Sequence, residues 1–363
     1  MGADDMPAIQ YPDTIDGLYE HLKARLATAV PDFELRAKAE VACEVNRLKR
    51  KKNAVILGHN YMEPCLFHSV PDFTGDSLYL SRVAAQTQAD LIVFCGVRFM
   101  AETAKILNPS RKVLLPSPKG GCSLAQSLDA ADVRALRQRY PGLPVVTYVN
   151  CYADVKAESD YCCTSSNAAA VARALMKQGA RRFIFLPDEY LARNVAQDLG
   201  LEILIAERRD GQRCVPDLPP GDGPLVVGWR GRCEVHERFT VEDVTNARRQ
   251  FPDVVVLAHP ECSPEVIRAA DYSGSTSQML RYLEEHPKGR YMLLTECTMG
   301  DNIASRHPER HMLRLCSIRC PHMNEITLEE TLESLRQERY VIEVPEEIRN
   351  RARAALDRML GIG

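Results

Sequence analysis

The chain is expected to fold as an α/β protein of three pseudo-symmetric αβα domains, with small parallel sheets around a central site. Three observations lead there. Apolar runs of strand length alternate with helical patterns along the whole chain, four features recur in the same order three times, and each recurrence ends on a cysteine.

The runs Ala54–Leu57, Leu91–Phe94, Val113–Leu115, Val145–Val149, Phe183–Leu186, Leu225–Val227, Val254–Leu257, Tyr291–Leu294 and Met312–Leu315 read as buried strands. Ser77–Thr87, Asn167–Gln178 and Val241–Gln250 carry helical periodicity between them. Continuous apolar strands separated by helices indicate parallel sheets covered on both faces. The first strand of each set ends in a polar cluster: His59-Asn60-Tyr61, Tyr148-Val149-Asn150 and His259-Pro260-Glu261. Further on come an acidic residue and an aromatic (Asp72-Phe73, Asp160-Tyr161, Asp271-Tyr272), then a small-residue turn (Gly75-Asp76-Ser77, Thr164-Ser165-Ser166, Gly274-Ser275-Thr276). The third strand of each set runs into Cys122, Cys233 or Cys320.

The domains expected are 1–121, a first repeat with an N-terminal helical lead-in; 122–232, a second repeat; 233–320, a third; and 321–363, a helical segment closing on the first repeat. The Pro/Gly-rich stretch Arg208–Pro224 is expected as a surface loop. Open parallel sheets bind ligands beyond the carboxyl ends of their strands, so three such units about a threefold axis would aim their polar clusters and cysteines at one cavity.

Composition narrows the function. The chain has 363 residues, 45% hydrophobic and 26% charged, with 46 basic against 49 acidic side chains, which excludes a dominantly disordered chain. The near-even charge gives no reason to expect nucleic acid or an anionic membrane. No apolar run approaches a membrane span, and residues 1–10 lack the layout of a signal peptide, so a cytoplasmic protein is expected. A reducing compartment keeps thiols free, so the 13 cysteines do not read as a disulfide framework.

Three dispersed thiolates are an unusual metal set. Structural zinc usually takes tight Cys-x-x-Cys pairs, and there are none: Cys162 and Cys163 are adjacent, and Cys316 and Cys320 are separated by three residues. An iron–sulfur cubane tolerates dispersed ligands, and three cysteines leave one iron open for Lewis-acid chemistry. By spacing alone Cys316 competes with Cys320 as third ligand. Cys65 and Cys297 lie near strand-end loops, and Cys43, Cys95, Cys151, Cys162, Cys163, Cys214 and Cys262 read as structural. His59, His236 and His259 offer donors, and Ser77, Ser165, Ser275 and Thr276 sit where helices open, so carboxylate or phosphate groups are expected in the substrate. Tyr61 and Glu261 are candidates for proton transfer.

With these residues in hand, the chain resembles the quinolinate synthase family from about Leu48 to Leu360. The likeness is carried by Gly58-His59-Asn60-Tyr61, Phe73-Thr74-Gly75-Asp76-Ser77, Gly96-Val97-Arg98-Phe99-Met100-Ala101-Glu102, Ala104-Lys105-Ile106-Leu107 and Tyr148-Val149-Asn150. It continues through Cys163-Thr164-Ser165-Ser166-Asn167, Gly231-Arg232-Cys233-Glu234-Val235-His236, His259-Pro260-Glu261, Gly274-Ser275-Thr276-Ser277-Gln278 and Cys320-Pro321-His322-Met323. The resemblance implies three α/β domains around a [4Fe–4S] cluster ligated at Cys122, Cys233 and Cys320, which favours Cys320 over Cys316. It implies a transferase of NAD biosynthesis that condenses iminoaspartate with dihydroxyacetone phosphate to quinolinate, releasing phosphate and two waters. Substrate-contacting positions match His59, Ser77, Tyr148, Asn150, Ser165, His259, Glu261 and Thr276, with Ser275 beside them. Tyr61 matches a tyrosine implicated in catalysis, and His236 an active-site histidine. Some relatives carry Cys-x-x-Cys-x-x-Cys around the third ligand; Cys316-Ser317-Ile318-Arg319-Cys320 here removes a disulfide switch within that motif.

Two other readings remain from residues alone: another iron–sulfur hydro-lyase or aldolase acting on phosphosugars, and a non-enzymatic cluster sensor. Unstable iminoaspartate makes a transient contact with an aspartate oxidase or dehydrogenase chemically sensible, although no residue argues for it.

Overall fold

Each of the nine apolar runs carries a strand, as expected where both faces of a sheet are covered. The computed structural model describes residues 8–314 and 317–362. Its strands are β1 (Ala54–His59), β2 (Phe73–Gly75), β3 (Leu91–Cys95), β4 (Lys112–Leu114), β5 (Val145–Tyr148), β6 (Tyr161–Cys163), β7 (Arg182–Leu186), β8 (Glu202–Arg209), β9 (Gln212–Cys214), β10 (Leu225–Trp229), β11 (Val254–Ala258), β12 (Tyr272–Ser273), β13 (Arg290–Leu294) and β14 (His311–Leu313). The last run was expected to reach Leu315, which lies outside the described residues together with Cys316.

The fold is α/β, with three small sheets in which parallel pairing dominates. The first sheet has the order β2-β1-β3-β4, all parallel. The second repeats it as β6-β5-β7-β10, with β8 and β9 added at the edge. In the third set β11 pairs with β12 and β13 with β14, again parallel. The edge strands β2, β6 and β12 are two or three residues long, too short to leave a periodic signal.

The recurring aspartate explains how each set is locked. Asp72 Oδ2 accepts the Ile56 backbone N–H at 2.8 Å, Asp160 Oδ2 that of Val145 at 2.7 Å, and Asp271 Oδ2 that of Val256 at 2.8 Å. The backbone N–H of each aspartate answers the carbonyl of the same strand residue. Each carboxylate is also paired with a cation from the helix before the strand: Lys49 at 2.9 Å, Arg137 at 2.8 Å and Arg248 at 2.9 Å. One side chain therefore fixes helix, first strand and edge strand together in each set.

By contact density the chain divides into two compact units. One holds the residues up to Gly121 with Leu280–Glu343, the other Cys122–Met279 with Val344–Gly363. The first boundary falls between Gly121 and Cys122, and the second inside the helix Thr276–Glu285. The closing segment divides as well. Its helix Leu328–Gln337 packs on Asp32–Lys51 of the first repeat, whereas Glu346–Leu360 packs on Ala153–Ala157 and β6 of the second. The expectation that the whole segment closes on the first repeat is corrected accordingly: Val344–Gly363 and that second set belong to one unit.

The stretch 208–224 is also not wholly a loop. It opens as the antiparallel hairpin β8–β9, turned at Asp210 and Gly211 with φ of +50° and +77°. Asp-Gly is the sequence sign of such a turn, since both central residues need a left-handed backbone. Arg208 and Arg213 of the hairpin both bond the fully buried carboxylate of Asp132, Arg213 Nε at 2.6 Å. Two guanidinium groups against one buried carboxylate anchor the insert to the second set.

The aspartates yield a graded prediction. Asp72→Ala leaves Ile56 N–H and the nearly buried Lys49 without their carboxylate, and is expected to cost about 1–3 kcal/mol. Asp271→Ala frees the more exposed Arg248 and should cost less, and Asp72→Asn, which keeps an acceptor, less than Asp72→Ala. Thermal unfolding of the three variants checks the order.

Candidate active site

Two of the polar clusters close with the same turn. His59 Nδ1 accepts the Tyr61 backbone N–H at 3.3 Å, and His259 Nδ1 that of Glu261 at 3.3 Å. The carbonyls of His59 and His259 accept the N–H groups of Met62 and Cys262. A ring nitrogen that accepts from the backbone places the proton of the neutral ring on Nε2, so both histidines present a donor beyond their strand ends.

In the first unit the Tyr61 ring lies edge-on to His59, with centroids 4.6 Å apart, and its hydroxyl meets Thr295 Oγ1 at 2.5 Å. In the second unit the buried Glu261 is the hub. Its Oε1 accepts from Tyr148 Oη at 2.6 Å and from Asn150 Nδ2 at 3.1 Å, and His236 Nδ1 lies 2.7 Å from Oε2. The same Nδ1 lies 3.2 Å from Cys233 Sγ, and the His236 ring stacks on His259 at 4.5 Å. Burial alone would raise the Glu261 carboxyl, but His236, His259 and the Tyr148 hydrogen bond hold it below the usual carboxylate range. Burial, then the Glu261 charge, pushes the Tyr148 phenol far up. Burial and Glu261 likewise drive up the fully buried Asp188, whose Oδ2 has no hydrogen-bond partner. The two buried carboxyls are thus pushed in opposite directions, Glu261 down and Asp188 up.

Three cysteines share one backbone frame. Cys122, Cys233 and Cys320 each accept, at their own carbonyl, the N–H of the residue four further on. The carbonyl two residues before each cysteine accepts the first amide of the helix that follows β3, β7 or β13, the second long strand of its set: Arg98 N–H to Gly120, Glu189 N–H to Gly231 and Cys297 N–H to Ile318, at 2.7, 2.8 and 3.1 Å. The approach is close enough at Gly231 that a Cβ there would lie 2.5 Å from the Pro187 carbonyl. Cys122, Cys233 and Cys320 are all partly accessible, whereas Cys65, Cys95, Cys151, Cys162, Cys163 and Cys262 are buried.

The quinolinate synthetase A protein family model matches residues 43–361. Among curated proteins, the chain is 48% identical over 349 residues to quinolinate synthase 2 of Mesorhizobium japonicum, covering 96% of this chain and 99% of that one. It is 47% identical over 338 residues to the quinolinate synthase of Agrobacterium fabrum, covering 93% and 90%. With that of Caulobacter vibrioides the identity is 46% over 334 residues, covering 92% and 84%. The chain belongs to the quinolinate synthetase A family.

Cys233 is the cysteine whose surroundings are most fully defined. Burial, the Glu261 charge and Cys122 push the Cys233 thiol far up, while the amides of His236 and Val235 point hydrogen bonds at its sulfur. The ligand atoms of Cys233, His236 and Glu261 also lie within 4.8 Å of one another, a grouping able to hold a single metal ion.

Of the other predicted residues, Ser165 bonds Tyr148. Ser77 and Thr276 are the first residues of their helices, and Ser275 Oγ accepts the Gln278 N–H at 3.3 Å. Asp76, not Ser77, caps its helix, which leaves the Ser77 hydroxyl without a capping task. Cys65 is a buried helix residue, its thiol pushed up to about 12 by burial, and Cys297 is disulfide-bonded, which corrects the expectation of free thiols there. Sequence reasoning missed Thr295 and Asp188. Both open a short polar pair just after an apolar strand, Thr295-Glu296 and Asp188-Glu189, a signal present but shared with ordinary helix caps.

The electrostatics predict a reactivity. In metal-free protein, Glu261→Gln removes the charge that raises the Cys233 thiol, so its thiolate fraction at a given pH should rise. Alkylation of Cys233 at pH 8, followed by peptide mass spectrometry, should be several-fold faster than in the unsubstituted chain. An unchanged rate would dissociate Glu261 from the thiol.

Proposed function

We propose that the chain is a quinolinate synthase of NAD biosynthesis, condensing iminoaspartate with dihydroxyacetone phosphate to quinolinate, phosphate and two waters. It is read as three α/β repeats, with Cys122, Cys233 and Cys320 holding a [4Fe–4S] cluster in a cytoplasmic enzyme. The observation that carries this reading is the Glu261 constellation abutting Cys233, in a chain whose relatives bear that name over nearly its full length. Among the described residues no helix is long and apolar enough to cross a membrane.

The roles follow from the donors. His59 and His259 offer Nε2–H to substrate carboxylates, and Ser77, Ser165, Ser275 and Thr276 add hydroxyl and helix-start donors for carboxylate or phosphate. Asn150 Oδ1 is buried with no hydrogen-bond partner, an acceptor suited to an imine or amine N–H. Glu261 and His236, 2.7 Å apart, form one proton-transfer pair. Tyr61, fixed by Thr295, serves as a second proton-transfer group. A bound cluster supplies an open iron, a Lewis acid for loss of hydroxide. Cys320 is preferred as third ligand because its backbone frame matches those of Cys122 and Cys233.

A second reading rests on the Cys233–His236–Glu261 grouping: a single-metal lyase acting on phosphosugars. Anaerobic purification with iron and sulfide counts separates them. About four of each per chain are expected, falling in Cys122→Ala, Cys233→Ala and Cys320→Ala; a colourless zinc protein would overturn the cluster. The brown protein should make quinolinate from iminoaspartate and dihydroxyacetone phosphate. Tyr61→Phe and Glu261→Gln should retain iron yet lose about 10²–10⁴-fold in kcat.

A further inference from the structure

Two buried asparagines bond the two histidine turns in the same register. Asn302 Nδ2 donates to the carbonyls of Asn60 and Met62, at 3.1 and 2.9 Å. Asn194 Nδ2 donates to those of Pro260 and Cys262, at 2.8 and 3.0 Å. These are the residues one and three after His59 and His259, so each amide spans the residue between, Tyr61 in one turn and Glu261 in the other. Asn194 and Asn302 are each the sixth residue of the helix after the second long strand of their set. At the sixth position of the corresponding first-set helix stands Thr103, which bonds the Phe99 carbonyl of its own helix instead.

Two carbonyl acceptors can be answered only by an NH2 group, which fixes the orientation of each amide. In Asn302 this leaves Oδ1 buried with no hydrogen-bond partner, a cost accepted for the two donor bonds. A turn closed only by its own backbone bonds could change its pitch. An outside amide bridging both ends removes that freedom, and with it the freedom of the side chain between.

We propose that Asn194 and Asn302 are positioning residues, each holding the turn that carries one proton-transfer side chain, Glu261 and Tyr61 respectively. The roles of those two side chains rest on the function proposed above; the clamping of the turns does not.

The test is reciprocal and uses the full-length holoprotein. In Asn302→Ala, hydrogen exchange at the Tyr61 and Met62 amides should speed by about tenfold or more, with Glu261 and Cys262 unchanged; Asn194→Ala should do the reverse. Asn302→Asp and Asn194→Asp, equal in size but without donors, should behave alike. Asn302→Ser and Asn194→Ser serve where the alanine variants fail to fold. With iron and sulfide contents equal to those of the unsubstituted protein, kcat should fall by about tenfold to a hundredfold and KM change less. Exchange within about twofold of the unsubstituted protein in both turns would overturn the clamp. Faster exchange with an unchanged kcat would make the asparagines merely structural. An unsubstituted holoprotein that makes no quinolinate would instead count against the function, and the exchange pattern would still decide the clamp.

Discussion

A carboxylate that answers a buried backbone N–H is the constraint on which the rest is built. The parallel strands are short, and the first strand of each set is flanked by an edge strand of only two or three residues. Such an edge has too few ladder bonds to fix its own register. Asp72, Asp160 and Asp271 supply the missing specification by bonding the first strand through both backbone and side chain, and by tying down a cation from the preceding helix. A slip of one residue would break all three links at once and turn the strand-end residues to the wrong face. The polar clusters at His59, Tyr148 and His259 lie at the ends of the strands so registered.

Around Glu261 the same economy of charge operates in reverse. A buried carboxylate is costly unless its lone pairs are met, and here Tyr148, Asn150 and His236 meet them. The charge so stabilised then acts on its surroundings. It adds to burial in pushing up the Tyr148 phenol, the Asp188 carboxyl and the Cys233 thiol. One anion therefore biases three neighbours in the same direction, and a cation bound at the thiols would oppose that bias at Cys233 first.

The sequence made the strands, the repeated aspartates, the polar strand ends and the cysteines legible because each is a residue-type signal at a fixed offset. The frame around the cysteines was invisible because it is made of backbone amides and carbonyls, which every residue shares: nothing in Gly120, Gly231 and Ile318 marks them as equivalent acceptors. Thr295 and Asp188 were missed for a related reason, since one polar residue after an apolar strand usually caps a helix, and Asp188 does that too. The hairpin at 208–214 was legible in Asp210-Gly211 but masked by the prolines and glycines after it. The division of the closing segment depends on which faces of two amphipathic helices find partners, and periodicity shows that a face exists without naming its partner.

The helix after the second long strand emerges as the element that relates cysteine to turn. Its first amide fixes the loop entering a cysteine, and five residues later Asn194 or Asn302 fixes a polar turn. Six residues of helix span about 7.5 Å of rise, so loop and turn are referred to one rigid rod of that length. Loops alone could not hold them so, because each is only a few residues long and has no ladder of its own. Relative placement on a rod survives local breathing of either loop. The first-set helix has the amide contact but carries Thr103 in place of asparagine, so the clamp on a turn does not depend on the clamp on a cysteine. Two contacts that occur separately on one helix are two constraints, and the cysteine-loop contact is the one found in all three sets.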